Sequence, residues 1–168
     1  ILSYPILILD VDNDLTCQGA IPCKNVVRKL TRFQMGGKIF LAAGESAWEG
    51  ASIEIIDLEK RQVIRELKKH HNMAILDLCV VESDKLLLVS CSADGSLRIF
   101  GLEGNRDDQI MYEDRLLTLS VNQNQLISCG SYDGNIIVFP ELISNRNGEN
   151  KIILNGHSDH VTRIRFRE

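Results

Sequence analysis

Residues 87–100 read LLVSCSADGSLRIF, an apolar run that enters the turn residues Ala93-Asp94-Gly95 and a second apolar run that leaves them. An Asp-Gly turn between two apolar runs is typical of an antiparallel hairpin. The same phrase recurs at 126–139 as LISCGSYDGNIIVF, with its Asp-Gly pair 39 residues further along. Two such hairpins in register indicate repeats of one structural unit.

The composition limits the class of protein. Of the 168 residues, 44% are hydrophobic and 25% are charged, which is ordinary for a soluble globular protein and too apolar for a disordered one. A formal net charge of −4 lacks the basic excess of a dedicated nucleic-acid-binding protein. The apolar stretch at 1–9 has no basic leader and is followed by acidic residues, so we expect neither a signal peptide nor a membrane span.

The five cysteines bear on the cellular compartment. Their number is odd, and Cys79, Cys91 and Cys129 lie within apolar runs. Buried free thiols fit this pattern better than a disulfide framework, and they are typical of a reducing compartment. We therefore expect the protein in the cytosol or the nucleus.

The hairpin at 87–100 belongs to a longer unit of four apolar runs. AILDLCVV at 74–81 precedes it and QIMY at 109–112 follows it, with polar or Gly-rich turns between the runs. Short apolar runs separated by turns are typical of antiparallel strands. The run at 86–92 is apolar on nearly every residue, which predicts a strand covered on both faces. A four-stranded sheet with another sheet stacked on each side would cover it in this way.

The same arrangement divides the rest of the chain into units. The segment 57–70 is rich in helix formers, but Val63, Arg65 and Leu67 alternate and the repeat requires a fourth strand, so we predict a strand there. The predicted division is the end of one unit at 1–22, complete units at 23–69, 70–112 and 113–155, and the start of a further unit at 156–168.

Three short stretches resemble the WD-repeat β-propeller family, in which Gly-His opens a repeat of four strands and Ser-x-Asp-Gly forms the second hairpin. They are Gly156-His157, SCSADGSLRIF at 90–100 and SCGSYDGNIIVF at 128–139. The units are spaced by 48, 41 and 45 residues, close to the family period of roughly 40–45 residues. The resemblance implies an all-β fold, an incomplete WD-repeat β-propeller made of stacked four-stranded antiparallel blades.

The resemblance also implies a hydrogen-bonded network inside each blade, which this chain retains in part. In the family, a Trp of the third strand joins a His, a Ser and the turn Asp. The unit at 70–112 keeps His71, Ser90 and Asp94, whereas Phe100 stands at the Trp position and has no N–H to donate. We therefore predict a three-member network in which His71 bonds to Asp94.

The other units depart further from the family. In the last complete unit Tyr112 replaces the His and Cys129 the Ser, so we predict that Asp133 stabilises only its own turn. In the first complete unit Glu49 stands in place of the turn Asp. A closed propeller typically has at least about four blades. We therefore expect the remaining blades to lie outside these 168 residues or to come from another chain.

The histidines do not form a pattern typical of a metal or catalytic site. His70 and His71 are adjacent, and the side chains of adjacent strand residues point apart. His157 and His160 have no nearby cysteine or carboxylate pattern that would complete a metal site. No Ser-His-Asp or Cys-His set carries a recognisable local signature. We therefore expect that the protein is not an enzyme.

Two further groups could suggest a metal. Cys17 and Cys23 have no second pair with which to bind zinc. Asp10, Asp12 and Asp14 alternate as in a calcium loop, but the required Gly and distal Glu are missing. We interpret the acidic segment as a solvated turn and expect neither a metal nor a cofactor.

Partner binding is predicted on the loops that the family presents on one face, those joining strand two to three and strand four to the next strand one. Trp and Tyr in such loops have the large area and polar tip of partner anchors. Trp48 could equally pack inward beneath its long turn. The candidate contact residues are Trp48, Asn72, Met73, Ala93, Tyr132, Asp159 and His160.

These observations predict a non-catalytic scaffold that binds a protein or peptide within an intracellular complex. One alternative is a substrate receptor of a ubiquitin ligase, although the Trp-Asp-x-Arg feature of such receptors is not matched. Another is an RNA-associated assembly factor, for which three basic clusters would have to converge on one face. These clusters are Arg28-Lys29-Arg32, Lys60-Arg61 and Arg163-Arg165-Arg167, the last of which alternates along one predicted strand.

Overall fold

The computed structural model describes residues 4–10, 12, 16–144 and 148–167. Asp14, part of the alternating acidic segment, lies outside the described residues. The secondary structure within the described ranges consists of strands and turns without a helix. The strands are β1 (Ile6–Asp10), β2 (Thr16–Ile21), β3 (Val27–Met35), β4 (Lys38–Glu45), β5 (Ala51–Asp57), β6 (Gln62–His71), β7 (Ile75–Glu82), β8 (Leu86–Ser92), β9 (Ser96–Gly101), β10 (Asp107–Met111), β11 (Leu116–Val121), β12 (Ile127–Ser131), β13 (Ile136–Phe139) and β14 (Ile152–Leu154).

These strands form antiparallel sheets in chain order. β1 pairs with β2, and three four-stranded sheets follow, which we call the first blade (β3–β6), the middle blade (β7–β10) and the last blade (β11–β14). Within a blade each strand pairs with the next strand along the chain. β6 shows that the segment at 57–70 is largely strand rather than helix. The all-β fold of stacked four-stranded blades in an incomplete propeller is therefore as predicted.

Apolar cores lie between successive sheets. Ile53 of the first blade and Phe100 of the middle blade share one core, and Leu97 shares the next core with Ile137 of the last blade. In β8, Leu88 packs into the first of these cores, whereas its neighbours 87 and 89 pack into the second. This explains why β8 is apolar on successive residues, since both of its faces are covered.

The first strands of the three blades lie side by side, because β3 contacts β7 and β7 contacts β11. Each of them pairs with the second strand of its own blade with a register shift at the same place. A bulge of this kind redirects the side chain that follows it. The shifts lie between Val27 and Lys29, between Ile75 and Asp77, and between Leu116 and Thr118.

Asp77, redirected by its bulge, joins the three blades. Its Oδ1 lies 2.7 Å from Lys29 Nζ of the first blade. Its Oδ2 accepts hydrogen bonds from Thr118 Oγ1 at 3.0 Å and from the Leu119 N–H at 2.9 Å, both in the last blade. One carboxylate, 8% exposed, thus fixes the relative position of all three sheets.

The segment after the last blade continues this stacking. No strand is assigned to residues 157–167, yet the Val161 N–H donates to the Ser131 carbonyl at 3.0 Å and Val161 is buried. Val161 lies against Gly130, where an added Cβ would come within 2.7 Å of its side chain. Ile75 lies against Gly44 in the same way, at 2.8 Å. Val161 therefore occupies the position that opens a blade.

Candidate partner-binding face

Loops gather at one edge of the stacked sheets. In an antiparallel sheet, the turn between strands two and three and the connections at the start of strand one and the end of strand four lie at the same end. Backbone hydrogen bonds join neighbouring loops, such as Gly50 N–H to the Asn72 carbonyl at 3.4 Å and Tyr112 N–H to the Gly95 carbonyl at 2.9 Å. We call this edge the loop face, and it comprises residues 22–26, 46–50, 72–74, 93–95, 112–115, 132–135 and 157–160.

Glycines fix two of the hairpin turns on the loop face. Gly95 has a φ of 80° and Gly134 a φ of 86°, in the left-handed region that favours glycine. A Cβ at Gly95 would lie 2.8 Å from the Tyr112 carbonyl oxygen, and one at Gly134 would lie 2.7 Å from that of His157. Each turn therefore packs directly on the loop that follows it.

A chain of hydrogen bonds in the middle blade links its strands to the loop face. His71 is fully buried, with Nε2 2.6 Å from Ser90 Oγ and Nδ1 2.6 Å from Ser96 Oγ. Ser96 Oγ donates to Asp94 Oδ1, because an ionised carboxylate only accepts. Ser96 Oγ must then accept from Nδ1–H of His71, and Nε2 accepts the Ser90 proton. This assignment requires a neutral histidine.

The structure brings His71, Ser90 and Asp94 together, but His71 and Asp94 do not bond directly. Nδ1 and Oδ1 are 3.7 Å apart, longer than a hydrogen bond. Ser96 completes the link, and the sequence reasoning missed it. The sequence feature that could have indicated Ser96 is its position directly after the Asp-Gly turn. A hydroxyl at that position can reach back to the turn carboxylate. Phe100, at the Trp position, packs into the core.

The protonation states follow from burial and from these bonds. Burial lowers the pKa of His71, which the neighbouring Asp94 only partly opposes. Burial alone would raise the pKa of Asp94, but nearby His71 and hydrogen bonds from Ser96 and the Asn72 N–H hold that pKa well below its ordinary value. At neutral pH the histidine is neutral and Asp94 is ionised. The carboxylate thereby anchors the loop at 72–74 to the hairpin turn.

In the last blade, the prediction that Asp133 stabilises only its own turn is wrong. The Tyr112 hydroxyl donates to Asp133 Oδ2 at 2.9 Å. Asn135 Nδ2 donates to the same carboxylate oxygen at 2.8 Å and to the Tyr112 hydroxyl at 3.1 Å. Tyr112 stands where the middle blade has its histidine, and its longer side chain reaches the turn without a bridging serine. The link between loop and turn is therefore kept with different residues.

In the first blade, a glutamate of β4 takes the role of the turn aspartate. Glu45 Oε2 accepts the Ser52 N–H at 3.0 Å, the bond that the turn carboxylate makes to the third strand in the middle blade. The prediction that Glu49 takes this place is wrong, because Glu49 is exposed. Glu45 is 1% and Glu54 2% exposed, and each has one carboxylate oxygen with no hydrogen-bond partner among the described residues.

Trp48 projects from the loop face. Its side chain is 87% exposed, so of the two orientations considered the structure has the outward one. Ala47 beside it packs against the core between the first and middle blades, and Gly50 closes the turn with a φ of 69°. The indole is therefore presented to solvent by an anchored turn.

Tyr132 is 41% exposed but has ring partners. Its ring stacks on that of His160, with centroids 3.5 Å apart and an angle of 22° between the planes. The Arg115 guanidinium carbon lies 5.2 Å from the Tyr132 centroid, a cation–π distance. His160 Nδ1 also lies 2.6 Å from the Tyr132 carbonyl oxygen. These contacts make Tyr132 part of a preformed cluster on the loop face.

The remaining candidate contact residues lie in the same loops. Asn72 and Asp159 are exposed, and the Asp159 side chain is 84% exposed. Met73 and Ala93 are half-buried, and each has a backbone group engaged with the adjacent loop or strand. The sequence-based choice of seven residues thus falls on one surface.

The basic clusters lie on separate elements. Lys29 on β3 is engaged by Asp77, and Arg61 donates to the Gln18 carbonyl at 2.6 Å. The arginines at 163–167 follow the last blade, two blades away from β3, in a segment with no assigned strand. The three clusters thus lie on different elements, and Lys29 and Arg61 are engaged by neighbouring residues.

The described ranges also bear on two further features, a metal site and a membrane-spanning helix. No group of three or more His, Cys, Asp or Glu residues is placed there to hold a metal ion. Nor does the described part of the chain contain a helix long and apolar enough to cross a membrane. Burial raises the pKa of Cys79, Cys91 and Cys129 well above its ordinary value, so these thiols stay protonated.

Comparison with known proteins gives the same architecture. The family model described as "WD domain, G-beta repeat" matches residues 61–101. No curated protein sequence matches the chain significantly. Among solved structures, that of U3-55K is similar, with a TM-score of 0.74 and 18% sequence identity over 94% of this chain and 47% of that one. At this identity the match shows a shared fold, and the chain spans about half the length of that protein.

Proposed function

Since this chain belongs to the WD-repeat family, we propose that it is a non-catalytic scaffold whose loop face binds a protein or peptide within an intracellular complex. WD repeats in general support protein interaction. The units at 23–69, 70–112 and 113–155 are the complete blades of this scaffold. Five free cysteines, three of them buried, favour the cytosol or the nucleus.

The exposure of Trp48 carries the proposal. A side chain of this size, 87% exposed on an anchored turn, leaves a large apolar area in water. Covering such an aromatic residue is a common source of binding energy at protein interfaces. Tyr132, which is 41% exposed and whose ring is already stacked on His160, supplies a second anchor that loses little entropy on binding.

The buried network supports a structural rather than a catalytic role. Ser90, His71 and a carboxylate form a sequence of groups similar to those of serine hydrolases. However, Ser90 and His71 are both 0% exposed, so no substrate can reach the hydroxyl. We infer that His71, Ser90 and Asp94 hold the loops in position while the residues around them make the contacts.

Affinity purification of the full-length protein tests this proposal. We expect at least one co-purifying protein to be lost with Trp48→Ala and retained with Ile64→Ala, a matched control because Ile64 is a 44% exposed apolar residue on the outer strand β6. An unchanged set of co-purifying proteins would contradict the proposal. Salt-dependent recovery of RNA that disappears when Arg163, Arg165 and Arg167 are all changed to alanine would favour the RNA alternative instead.

A further inference from the structure

The loop face carries an uneven share of the charge. Its loops contain six carboxylates and two basic side chains, a net charge of −4, which equals the formal net charge of the whole chain. On the opposite edge, the described turn residues contain six acidic and five basic side chains, a net charge of −1. They lie at 12, 58–61, 83–85, 102–106, 140–144 and 148–151. The excess of negative charge is therefore greater on the face that presents Trp48.

The two basic residues of the loop face are both engaged. Lys24 forms an ion pair with Glu66, and Arg115 lies over the Tyr132 ring. By contrast, Glu49 and Glu113 are exposed. Asp159 is exposed as well. The charge that an approaching partner meets is thus negative.

The position of Glu49 directly beside Trp48 adds a specific feature. An indole face attracts lysine and arginine side chains through the cation–π interaction, and an adjacent carboxylate attracts the same groups by charge. The indole also offers area to an apolar side chain. Phosphate groups would instead be repelled by this surface, which disfavours a nucleic acid as its occupant.

We propose that the loop face takes a basic segment of a partner protein, in which lysine or arginine side chains lie among the carboxylates and an apolar or cationic side chain packs on Trp48. This inference rests on the proposed function and adds the chemistry of the partner. The charges select the segment and speed its approach, and the indole supplies the affinity.

A random peptide library displayed on phage, selected against the full-length protein, tests the inference without assuming a sequence. Enriched peptides are expected to carry lysine or arginine beside apolar residues. Their affinity is expected to fall about tenfold with Trp48→Ala, as for an aromatic hot spot, and to change little with Ile64→Ala.

A charge-reversal pair tests the electrostatic part. Glu113 lies on the loop face and Glu103 on the opposite edge, and both are exposed. Glu113→Lys is expected to weaken the selected peptides several-fold at low ionic strength and less at physiological ionic strength. Glu103→Lys is expected to have no such effect.

The outcomes separate this inference from the proposed function. Selection of acidic or uncharged peptides that still depend on Trp48 would overturn the basic partner while leaving the scaffold in place. Selection of peptides insensitive to Trp48→Ala would overturn the use of this face. A library that yields no peptide above background would count against both.

Discussion

The middle and first blades can be aligned through their strand registers. Ile75 pairs with Ser92 in the middle blade, and Val27 pairs with Glu45 at the same bulge in the first blade. The first blade thus has a buried glutamate where the middle blade has a small hydroxyl. Its carboxylate reaches the third strand from β4 rather than from the hairpin turn.

The other network positions also differ between these blades. By the same register, Cys23 takes the position of His71 and Ala43 that of Ser90. Burial raises the pKa of Cys23 to about 12, so its thiol is neutral and a weak donor. The first blade therefore lacks the proton chain of the middle blade and has two buried carboxylates instead.

This difference shows which part of the network the fold requires. All three blades supply a carboxylate to the start of the third strand, from Asp94, Asp133 or Glu45. The histidine and the serine vary. A carboxylate acceptor for the N–H at the start of the third strand is thus the common element. Its burial and its hydrogen-bonding surroundings set how much stability each blade gains from it.

The largest expected effect comes from removing the best-connected carboxylate. Asp94→Ala leaves the Asn72 and Ser96 N–H groups and the Ser96 hydroxyl without their acceptor. Because the site is largely buried, we expect the free energy of unfolding to fall by about 3 kcal/mol. Urea denaturation of the full-length protein, followed by circular dichroism, measures this loss.

Asp133→Ala is the matched substitution in the last blade. Asp133 is exposed, so water can replace the missing acceptor, and we expect a loss of about 1 kcal/mol. Equal losses of unfolding free energy for the two variants would show that the link to a buried histidine adds no stability to the middle blade. The proposed difference between the middle and last blades would then be wrong.

The two blades should respond to pH in opposite directions. The pKa of His71 is lowered in the folded state, so the unfolded chain takes up the proton first and the middle blade loses stability as pH falls below the ordinary histidine value. Burial raises the pKa of Glu45, only partly opposed by the Ser52 N–H and the Asn25 side chain. The stability that protonated Glu45 contributes is thus fully present below the ordinary pKa of a glutamate. It is lost as the pH rises through the raised pKa of Glu45 in the folded state.

Hydrogen exchange resolved by blade measures this contrast. Between pH 7 and pH 5, after correction for intrinsic exchange, protection is expected to fall in β7–β10 and to rise in β3–β6. The groups that face Glu45 are Glu54, Glu66, Lys24 and Cys23. Parallel changes in the two blades would refute the assignment.

Glu45→Gln isolates the glutamate. The amide retains an oxygen for the Ser52 N–H and removes the charge that burial of Glu45 disfavours. We expect a gain of about 1 kcal/mol at neutral pH and loss of the pH response of the first blade. Glu49→Gln, at an exposed position four residues away, is the control and is expected to change neither. A loss of stability with Glu45→Gln would contradict this account.

The elements of the fold that could be predicted depend on local chemistry. The Asp-Gly turns at 94–95 and 133–134 and the apolar runs beside them set the hairpins within a few residues, so sequence pattern suffices. The WD repeat matched at 61–101 and the all-β class followed from these same stretches and are confirmed. The strand at 62–71 was predictable because its alternation outweighed its helix-forming composition.

The details of the sites depend on contacts that no local pattern encodes. Ser96 bridges two residues that are themselves 23 positions apart, and the reach of Glu45 depends on the bulge at the start of β3. The outward direction of Trp48 follows from the packing of its neighbour Ala47 rather than from the tryptophan itself. These outcomes were decided by tertiary structure, which is why the sequence left them open or assigned them wrongly.

The smallest expected effect concerns the last blade, where Tyr112 stands in for the histidine. Tyr112→Phe removes the hydroxyl that donates to Asp133, but the Asn135 side chain and N–H still donate to that carboxylate. We therefore expect a loss of only about 0.5–1 kcal/mol by urea denaturation. Combining it with Asp133→Ala in a double-mutant cycle should give a coupling energy of similar size. A coupling near zero would mean that the hydroxyl and the carboxylate do not cooperate, and that the last blade holds its loop by the turn alone.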